Sequence, residues 1–291
     1  TAGSSSIVGW YSVTVPQGNS SWTCGLVCAD LYQAASVTVT ADVDGKALVS
    51  FDAPGWTGGE FTRHHAEPLT GVSAGLAIDV LSNTTDTLKL DTTPAASGLT
   101  SGMVFILRKH ATLGGLMPDG GGFLAFNDSI GLFEPNGAQK LYYWNGSHWY
   151  ASNGSNANDV VIRPAQGFII QLNSALTLTL GKGDVAYVKS TPTKIRVSSG
   201  VPNLVGALNP LGTTTTLGAL GITSSMQAFN DSVVTLNPGT LAQTATYLSN
   251  GSNLFNGSGD ATNTALPAGT SIVINVDASK AINLSPVTVA P

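Results

Sequence analysis

The stretch AFNDS occurs twice in the chain, at residues 125–129 and again at residues 228–232. Each copy follows an apolar stretch that contains Thr-Leu-Gly, TLGGL at 112–116 and TLGAL at 216–220. Each copy also precedes a β-like run, an Asn-Gly-Ser turn and an apolar run that opens with Pro-Ala. Motifs that recur in the same order indicate a repeated structural unit. The sequence therefore predicts, at least in part, a duplicated β module, in which TLGGL and TLGAL are the best candidates for a turn of helix.

Composition indicates a low-charge β-protein. Charged residues make up only 10% of the chain, against roughly 25% in typical globular proteins. Ser, Thr, Asn and Gly must therefore cover the exposed strand faces, which is typical of secreted β-proteins. At 291 residues the chain exceeds the usual size of one domain, so we expect two or three domains.

The charge pattern and the apolar runs argue against two classes of partner. The net charge is −5, and Lys and Arg are scattered without a basic stripe, so we expect no nucleic acid to bind. No apolar run approaches the ~18–20 residues that span a membrane. The opening TAGSSS is typical of the end that remains after a signal peptide is removed, which predicts an exported protein, extracellular or at the cell surface.

Cys24 and Cys28 are the only cysteines. In an oxidising compartment the pair can form a disulfide if the chain turns between them. Along a straight strand their Cα atoms would be roughly 13 Å apart, beyond the reach of a disulfide. A disulfide, two buried free thiols, and a metal or redox role are the alternatives.

Strand patterns separate a repeated module from an insertion. Residues 7–15, IVGWYSVTV, alternate in strand fashion, and a comparable strand, turn and apolar loop return at 194–210. Residues 37–108 have no counterpart in the second half, and Asp44-Gly45 within them marks a two-residue hairpin turn.

The predicted fold class is all-β, with tandem antiparallel β-sandwich or barrel modules and an inserted small β-barrel. We assign residues 1–36 and 109–185 to the first module and residues 37–108 to the insertion. Residues 186–291 form the second module, an internal repeat of the first.

Comparison of the two copies predicts which aromatic side chains are buried. Positions that exchange an aromatic residue for another apolar one are most simply core, and these pairs are Tyr143 with Leu248, Trp149 with Leu254 and Tyr150 with Phe255. Trp144 corresponds to Ser249, which predicts that Trp144 faces out. Phe126 and Phe229 match each other and are interpreted as core anchors.

Asp128 and Asp231 match in the AFNDS turn itself. A carboxylate in a turn can accept hydrogen bonds from backbone N–H groups. We predict this role for both residues, with a shared calcium site as the alternative.

The sequence Gly71-Val72-Ser73-Ala74-Gly75 fits G-x-S-x-G, the nucleophile elbow of α/β-hydrolases. That motif requires a strand before it and a helix after it in a mainly parallel sheet. Here a β-like run follows the motif, so we interpret it as a glycine-rich turn.

Two further groups of residues could suggest a metal site. His64, His65 and Glu67 lie close in sequence, but adjacent residues on a strand point to opposite faces, so exposed polar residues are the simpler interpretation. Asp42-Val43-Asp44-Gly45 begins like a calcium loop, but the later ligand positions hold Lys46 and Ala53. We predict no catalytic residue, no metal and no cofactor, and therefore a protein that is not an enzyme.

Aromatic side chains and Asn-x-Ser sequons could contact or carry glycans. Exposed aromatic rings on β-sandwiches stack against sugars, and the candidates for polysaccharide contact are Trp56, Tyr142 and Trp144. The sequons expected to be most accessible lie in turns, and they are Asn145, Asn153, Asn250 and Asn256.

The chain also resembles a known family over roughly residues 8–185, and more faintly in the C-terminal copy. The motifs are GLAIDVLSNTTDTLKL, a GMVFI strand, His110 with TLGGL, AFNDS, YYWNGSHWY and PAQGFII. They are similar to those of uncharacterised secreted bacterial proteins, in which a barrel-like segment precedes a TL-x-x-L element, an Asn-Asp turn, a Trp hairpin and a Pro-Gly strand. The resemblance implies export and an all-β fold, and it carries over no activity. The last module departs from the family because it lacks the Trp hairpin and the insertion.

These observations favour a structural subunit of an extracellular filament or surface layer, with other copies of the chain as its partner. An edge strand that is open to pairing can complete a sheet in the next subunit, and such a head-to-tail contact gives open filaments. The candidate assembly strands are the apolar residues near the two ends, Ile7, Val8, Trp10, Tyr11, Val13, Val15, Ile282, Leu284, Val287 and Val289. The alternative is a secreted carbohydrate-binding or adhesin module with a polysaccharide partner.

Overall fold

The structure is a computed structural model, and it describes residues 11–134, 136–181, 185–189, 191–206, 214–237 and 239–286. Strands account for 47% of the residues and helices for 7%, and the sheets are antiparallel. The predicted all-β fold class with sandwich and barrel modules is therefore confirmed. Within these ranges, no helix is long and apolar enough to cross a membrane.

The strands are short and are numbered in chain order. The first ten are β1 (Tyr11–Val15), β2 (Gly18–Thr23), β3 (Leu26–Cys28), β4 (Asp30–Ala35), β5 (Thr38–Ala41), β6 (Ala47–Ser50), β7 (His64–Pro68), β8 (Ile78–Asn83), β9 (Thr87–Leu90) and β10 (Val104–Lys109). The next nine are β11 (Ala111–Thr112), β12 (Ser129–Phe133), β13 (Gln139–Trp144), β14 (Trp149–Ala151), β15 (Val161–Ile162), β16 (Gly167–Leu172), β17 (Leu176–Leu180), β18 (Val185–Val188) and β19 (Thr193–Val197). The remaining described strands are β20 (Asn203–Gly206), β21 (Thr215–Thr216), β22 (Ser232–Leu236), β23 (Gln243–Ser249), β24 (Leu254–Asn256), β25 (Gly259–Asp260), β26 (Ala265–Leu266), β27 (Ser271–Asn275) and β28 (Lys280–Leu284).

Helical structure is confined to single turns in the described ranges. The α-helical turns are α1 (Pro94–Ser97) and α2 (Leu113–Leu116), and the 3-10 turns are Gly120–Gly122, Gly218–Leu220 and Ile222–Ser225. The predicted turns at TLGGL and TLGAL are among them. Thr112 caps α2, because its hydroxyl accepts a hydrogen bond from the Gly115 N–H (3.1 Å). In the second copy the Thr216 hydroxyl accepts a hydrogen bond from the Ala219 N–H (3.2 Å), although Thr216 lies one residue before the N-cap position.

One compact unit comprises Cys28–His110 together with Pro192–Lys194. It begins before the predicted boundary at residue 37, because β4 pairs with β10 and so belongs to this unit. The short segment after the first module also joins it, since the Lys194 N–H donates a hydrogen bond to the Gly75 carbonyl (2.8 Å).

The sheet of this unit returns on itself. Its strand order is β4-β10-β7-β8-β9-β6-β5, and the end strands β4 and β5 are consecutive in the chain. Between them, the Ser36 N–H donates to the Met103 carbonyl (2.8 Å) and the Val37 N–H donates to the Ser50 carbonyl (2.7 Å). One continuous stretch therefore pairs with β10 through its first half and with β6 through its second half, as in a small barrel. We call this the barrel unit.

Alternation along the strands builds the core of the barrel unit. Ala47 and Val49 on β6 are fully buried, whereas Leu48 between them is partly exposed. Period-2 alternation of this kind places every second side chain inside. The buried apolar residues are Ala47, Val49, Phe51, Phe61, Ala66, Leu76, Ile78, Val80, Leu88, Leu90, Leu99, Phe105 and Leu107.

The second compact unit contains both copies of the repeat, in Thr1–Val27, Ala111–Thr191 and Ile195–Pro291. The first copy has a sheet of order β2-β16-β12-β13-β14, and the second has β20-β27-β22-β23-β24 with β25 at its edge. The pairs β1-β17 and β11-β15 of the first copy are matched by β19-β28 and β21-β26 of the second. The two copies thus share their strand order and their pairing.

Candidate interaction surface

The carboxylate of Asp128 holds the first AFNDS turn in place. Its Oδ2 accepts a hydrogen bond from the Leu124 N–H (2.8 Å), and its Oδ1 accepts one from the Asn173 N–H (2.8 Å). Asp128 is buried, and a buried carboxylate needs such donors. Asp128 therefore links the turn both to Leu124, which directly precedes it, and to Asn173, which follows β16.

Asp231 has the same role in the second copy and also forms an ion pair with Lys280. Its Oδ2 accepts hydrogen bonds from the Gln227 N–H (2.6 Å) and the Lys280 ammonium (2.6 Å), and its Oδ1 accepts one from the Asp277 N–H (3.0 Å). Burial alone would raise the pKa of the Asp231 carboxyl, but Lys280 and the two backbone N–H groups outweigh burial and lower this pKa below its usual value. The turn role predicted for the two aspartates is confirmed.

The phenylalanine of each AFNDS turn lies on the surface in an unfavourable backbone conformation. Phe126 has a φ of 63° and is 66% exposed, and Phe229 has a φ of 64° and is 68% exposed. A residue other than glycine adopts this conformation at a cost of roughly 1–2 kcal/mol. The prediction that both phenylalanines are core anchors is therefore wrong.

A backbone hydrogen bond connects each turn to the neighbouring hairpin. The Phe126 N–H donates to the Trp144 carbonyl (2.8 Å), and the Phe229 N–H donates to the Ser249 carbonyl (2.7 Å). The amide makes this connection, and most of each ring remains in solvent.

The Phe126 ring lies beside two tyrosines of the hairpin formed by β13 and β14. The ring centroids of Phe126 and Tyr150 are 5.9 Å apart, and those of Tyr150 and Tyr143 are 5.6 Å apart. Tyr143 and Tyr150 are partners directly across the hairpin, and both are partly exposed. We call Phe126, Tyr143 and Tyr150 the first apolar ledge.

The second copy has the same arrangement. The ring centroids of Phe229 and Phe255 are 6.0 Å apart, and Phe255 lies directly across the hairpin from Leu248, which is 38% exposed. We call Phe229, Leu248 and Phe255 the second apolar ledge. Of the pairs predicted to be core, only Trp149 and Leu254 are buried.

Tyr142 and Trp144, two of the predicted glycan contacts, point into the first copy. They are only 6% and 8% exposed, so neither ring presents a face to a sugar. The Trp144 ring lies so close to Gly120 that a Cβ atom there would come within 2.4 Å of it. The glycine-rich loop therefore accommodates the ring, and the prediction that Trp144 faces out is wrong.

The third predicted glycan contact, Trp56, belongs to an aromatic cluster of the barrel unit. Its ring centroid is 5.0 Å from that of Tyr32, 5.4 Å from that of Phe51 and 5.1 Å from that of Phe61, all with edge-to-face geometry. Trp56 is partly buried by these neighbours. Its position indicates a packing role in the barrel unit.

The predicted assembly strands are already paired within the chain. β1 pairs with β17, and β28 is in a two-stranded sheet with β19. The side chains that were expected to enter a neighbouring subunit are instead buried here, and they are Val13, Val15, Ile282 and Leu284. Tyr11 lies in the paired strand β1, opposite Leu180. The other candidates lie outside the described residues, and they are Ile7, Val8, Trp10, Val287 and Val289.

Ser73, the potential nucleophile of the G-x-S-x-G motif, is buried in a turn of the barrel unit. Its hydroxyl donates a hydrogen bond to the Ser97 carbonyl. Gly71 and Gly75 have φ values of 77° and 83°, and a Cβ atom at Gly75 would come within 2.4 Å of the Pro192 carbonyl oxygen. The two glycines thus shape a turn, and the residues around Ser73 do not form a nucleophile elbow.

Sequence reasoning missed a buried polar cluster in the barrel unit. His65 and Glu67 on β7, Arg108 on β10 and the following His110 are all at most 6% exposed. The ring centroids of His65 and His110 are 4.7 Å apart, and His110 Nε2 is 3.1 Å from Asp79 Oδ1. The expectation that His65 and Glu67 are exposed is therefore wrong. The i, i+2 spacing of these residues on their strands was the available signal, because it places them on one face.

His64 lies on the opposite face of β7 from His65, as predicted for adjacent strand residues. Its ring centroid is 5.1 Å from that of Phe61. Burial lowers the pKa of His64, and His110 and Lys109 lower it further. In the described part of the chain, no group of three or more His, Cys, Asp and Glu residues is arranged to hold a metal ion.

The remaining motifs form structural turns or buried thiols. Asp42 Oδ1 accepts hydrogen bonds from the N–H groups of Asp44 (2.9 Å) and Lys46 (2.7 Å), which fixes the predicted hairpin. Cys24 and Cys28 are both buried, and the disulfide between them stays a prediction.

The four sequon asparagines all lie at turns. The side-chain carbonyl of each accepts a hydrogen bond from the N–H two residues further on, at 2.9–3.1 Å, and these residues are Asn145, Asn153, Asn250 and Asn256. Asn153 and Asn250 are exposed, and Asn145 and Asn256 are partly exposed.

No protein-family model, curated protein or solved structure matches this chain.

Proposed function

We propose that the protein is an extracellular structural subunit that assembles with other copies of itself through its two apolar ledges. One observation carries this proposal: the same five residues present a largely exposed phenylalanine at positive φ in both copies. Such strain persists where the surrounding structure maintains it, and it clusters at sites of binding and switching.

The energetics favour a role in contact over a role in folding. Full burial of a phenylalanine side chain stabilises a protein by roughly 1.5–3 kcal/mol, and Phe126 and Phe229 each leave most of this contribution unused. The positive φ opposes folding further. An interface that covers the ring would recover the apolar contribution, which supports a binding surface at each turn.

The chemistry of the ledges supports another copy of the chain as the partner. All six ledge side chains are uncharged, so two ledges can meet without bringing like charges together. The chain as a whole is only 10% charged, and its Ser- and Asn-rich turns suit an extracellular surface. A contact at the ledges also leaves β1 and β28 in their own sheets, whereas strand donation would remove them from the core.

The test compares the wild-type protein with the Phe126→Asn, Phe229→Asn double variant. Asparagine tolerates a positive φ, so the turn can persist without the ring. We expect polymers of the wild type in electron micrographs and in sedimentation velocity, and monomers of the double variant.

The matched control is Val43→Asn, which removes a fully exposed apolar side chain from the hairpin turn of the barrel unit. This variant should assemble like the wild type. Undiminished assembly of the double variant, or a wild type that stays monomeric at every concentration, would overturn the proposal.

A second candidate is a glycan-binding module, and one observation favours it. The first ledge places three aromatic rings side by side, with adjacent centroids less than 6 Å apart. A wild type that is monomeric and whose tyrosine fluorescence changes on addition of polysaccharide would support this candidate.

A further inference from the structure

The two copies of the repeat correspond position by position at the sheet edges where they meet. Thr23 ends β2 and lies opposite the first residue of β16, and Gly206 ends β20 and lies opposite the first residue of β27. Thr23 and Gly206 are therefore equivalent positions. By the same register, Trp22 and Val205 are equivalent.

Backbone hydrogen bonds cross between the copies in a reciprocal pair. The Thr23 N–H of the first copy donates to the Gly269 carbonyl of the second copy (2.8 Å). The Gly206 N–H of the second copy donates to the Ala165 carbonyl of the first copy (3.0 Å). Ala165 and Gly269 each stand two residues before the partner strand, and both have a positive φ, 58° and 74°. Each copy thus uses the same donor and the same acceptor.

A pair of isolated β-bridges repeats this reciprocity. Trp22 of the first copy bridges Thr270 of the second, and Val205 of the second copy bridges Gln166 of the first. Gln166 and Thr270 each directly precede their strand, so these contacts are also exchanged equivalents. When residue i of one unit contacts j of the other, and j of the first contacts i of the second, the interface is two-fold. The copies therefore meet about a local two-fold axis.

The same relation applies to the apolar ledges. The internal contact is made at one edge of each sheet, by β2 in the first copy and by β20 in the second. Each ledge lies toward the opposite edge, in the hairpin that contains β14 in the first copy and β24 in the second. One chain is consequently built like a two-fold dimer in which each half carries one apolar ledge.

We infer that each external contact pairs two equivalent ledges of different chains about a second two-fold axis, so that the polymer has no polarity. This inference rests on the proposed function, and it names the valence and symmetry of the contact. The partner of a ledge is a ledge of a second copy of this chain, because the two ledges are alike, uncharged and apolar, and because the chain already joins its own copies by a two-fold contact. Where the internal and external two-fold axes do not intersect, their alternation gives an open chain of subunits.

The test uses the two single variants of the full chain, Phe126→Asn and Phe229→Asn. Each variant retains one functional ledge, so two chains can join once and no further. We expect each variant alone to form dimers of twice the 29.7 kDa chain mass in sedimentation equilibrium. The double variant should be monomeric, and Val43→Asn should form polymers.

The outcomes separate this inference from the proposed function. If each single variant is monomeric alone and dimers form only on mixing the two, the contact joins the first ledge to the second, and the inference is wrong while the proposed function stands. If the double variant polymerises like the wild type, the proposed function is wrong. Monomers of both single variants, alone and mixed, would also overturn the inference.

Discussion

Replacement of Asp231 with asparagine is expected to lower the free energy of unfolding by about 3–5 kcal/mol, the usual effect of removing one partner from a buried ion pair. The carboxylate is fully buried, and it accepts hydrogen bonds from Lys280, Gln227 and Asp277. The NH₂ group of an asparagine is itself a donor, so it would face these donors without forming a hydrogen bond. Lys280 would also lose its counter-ion. Urea denaturation at neutral pH measures the loss.

The duplicated chain supplies a matched control in Asp128→Asn. Asp128 accepts backbone hydrogen bonds at the equivalent position. Its side-chain donor is the uncharged amide of Asn173, whereas the side-chain donor to Asp231 is the Lys280 ammonium. We expect a smaller loss there, about 1–3 kcal/mol, because no charge is left unpaired. Equal losses at the two sites would contradict the role given to Lys280.

The same pair predicts how stability depends on pH. The pKa of Asp231 is lowered in the folded protein, so its ionised form contributes stability above the unfolded pKa of about 3.9. That contribution is lost as the pH falls through the lower, folded pKa. The difference in stability between the wild type and Asp231→Asn should therefore shrink on acidification below about pH 4. A difference that stayed constant down to the acid limit would argue against the ion pair.

Replacement of Gly206 with alanine is expected to lower the free energy of unfolding by about 1–3 kcal/mol through overpacking. A Cβ atom at Gly206 would come within 2.0 Å of the Thr23 side chain, so the two copies would have to move apart at their two-fold contact. The variant should also change the tryptophan emission spectrum, because Trp22 lies at this contact.

Gly257→Ala is the control for this substitution. A Cβ atom added at Gly257 would meet no other atom within 4 Å, and the residue has no positive φ, so alanine should fit without strain. We expect a change within about 1 kcal/mol, in the stabilising direction. A Gly206→Ala protein as stable as Gly257→Ala would show that the copies are not closely packed there.

Local patterns were sufficient to predict the fold class and the turns. The repeated AFNDS and Thr-Leu-Gly motifs predict a duplication, and the strand orders of the two copies agree with it. Asp42, Asp128 and Asp231 all accept the turn hydrogen bonds that short acidic side chains favour. These features depend on residues within a few positions of each other, which is why the sequence reveals them.

The burial of individual side chains depended on distant residues and was harder to predict. Trp144 is buried because Gly120, in another loop, leaves room for its ring. His65 is buried because Arg108 of β10 lies directly opposite it and the His110 ring lies 4.7 Å from its own, and neither neighbour is close to it in sequence. The exposure of Phe126 follows from a positive φ that its residue type disfavours. Sequence rules assign the opposite outcome at these positions, and of the three only Phe126 belongs to the candidate interaction surface.

The free energy of unfolding of the Phe126→Asn, Phe229→Asn double variant tests the central claim most directly. It should be measured by urea denaturation at concentrations where the wild type is monomeric. If the two rings serve contact between chains and not folding, the free energy of unfolding of the double variant should lie within about 1 kcal/mol of the wild-type value or above it. The reason is that asparagine relieves the strain at a positive φ. A loss near the ~3–5 kcal/mol per site that follows removal of a core phenylalanine would contradict the account.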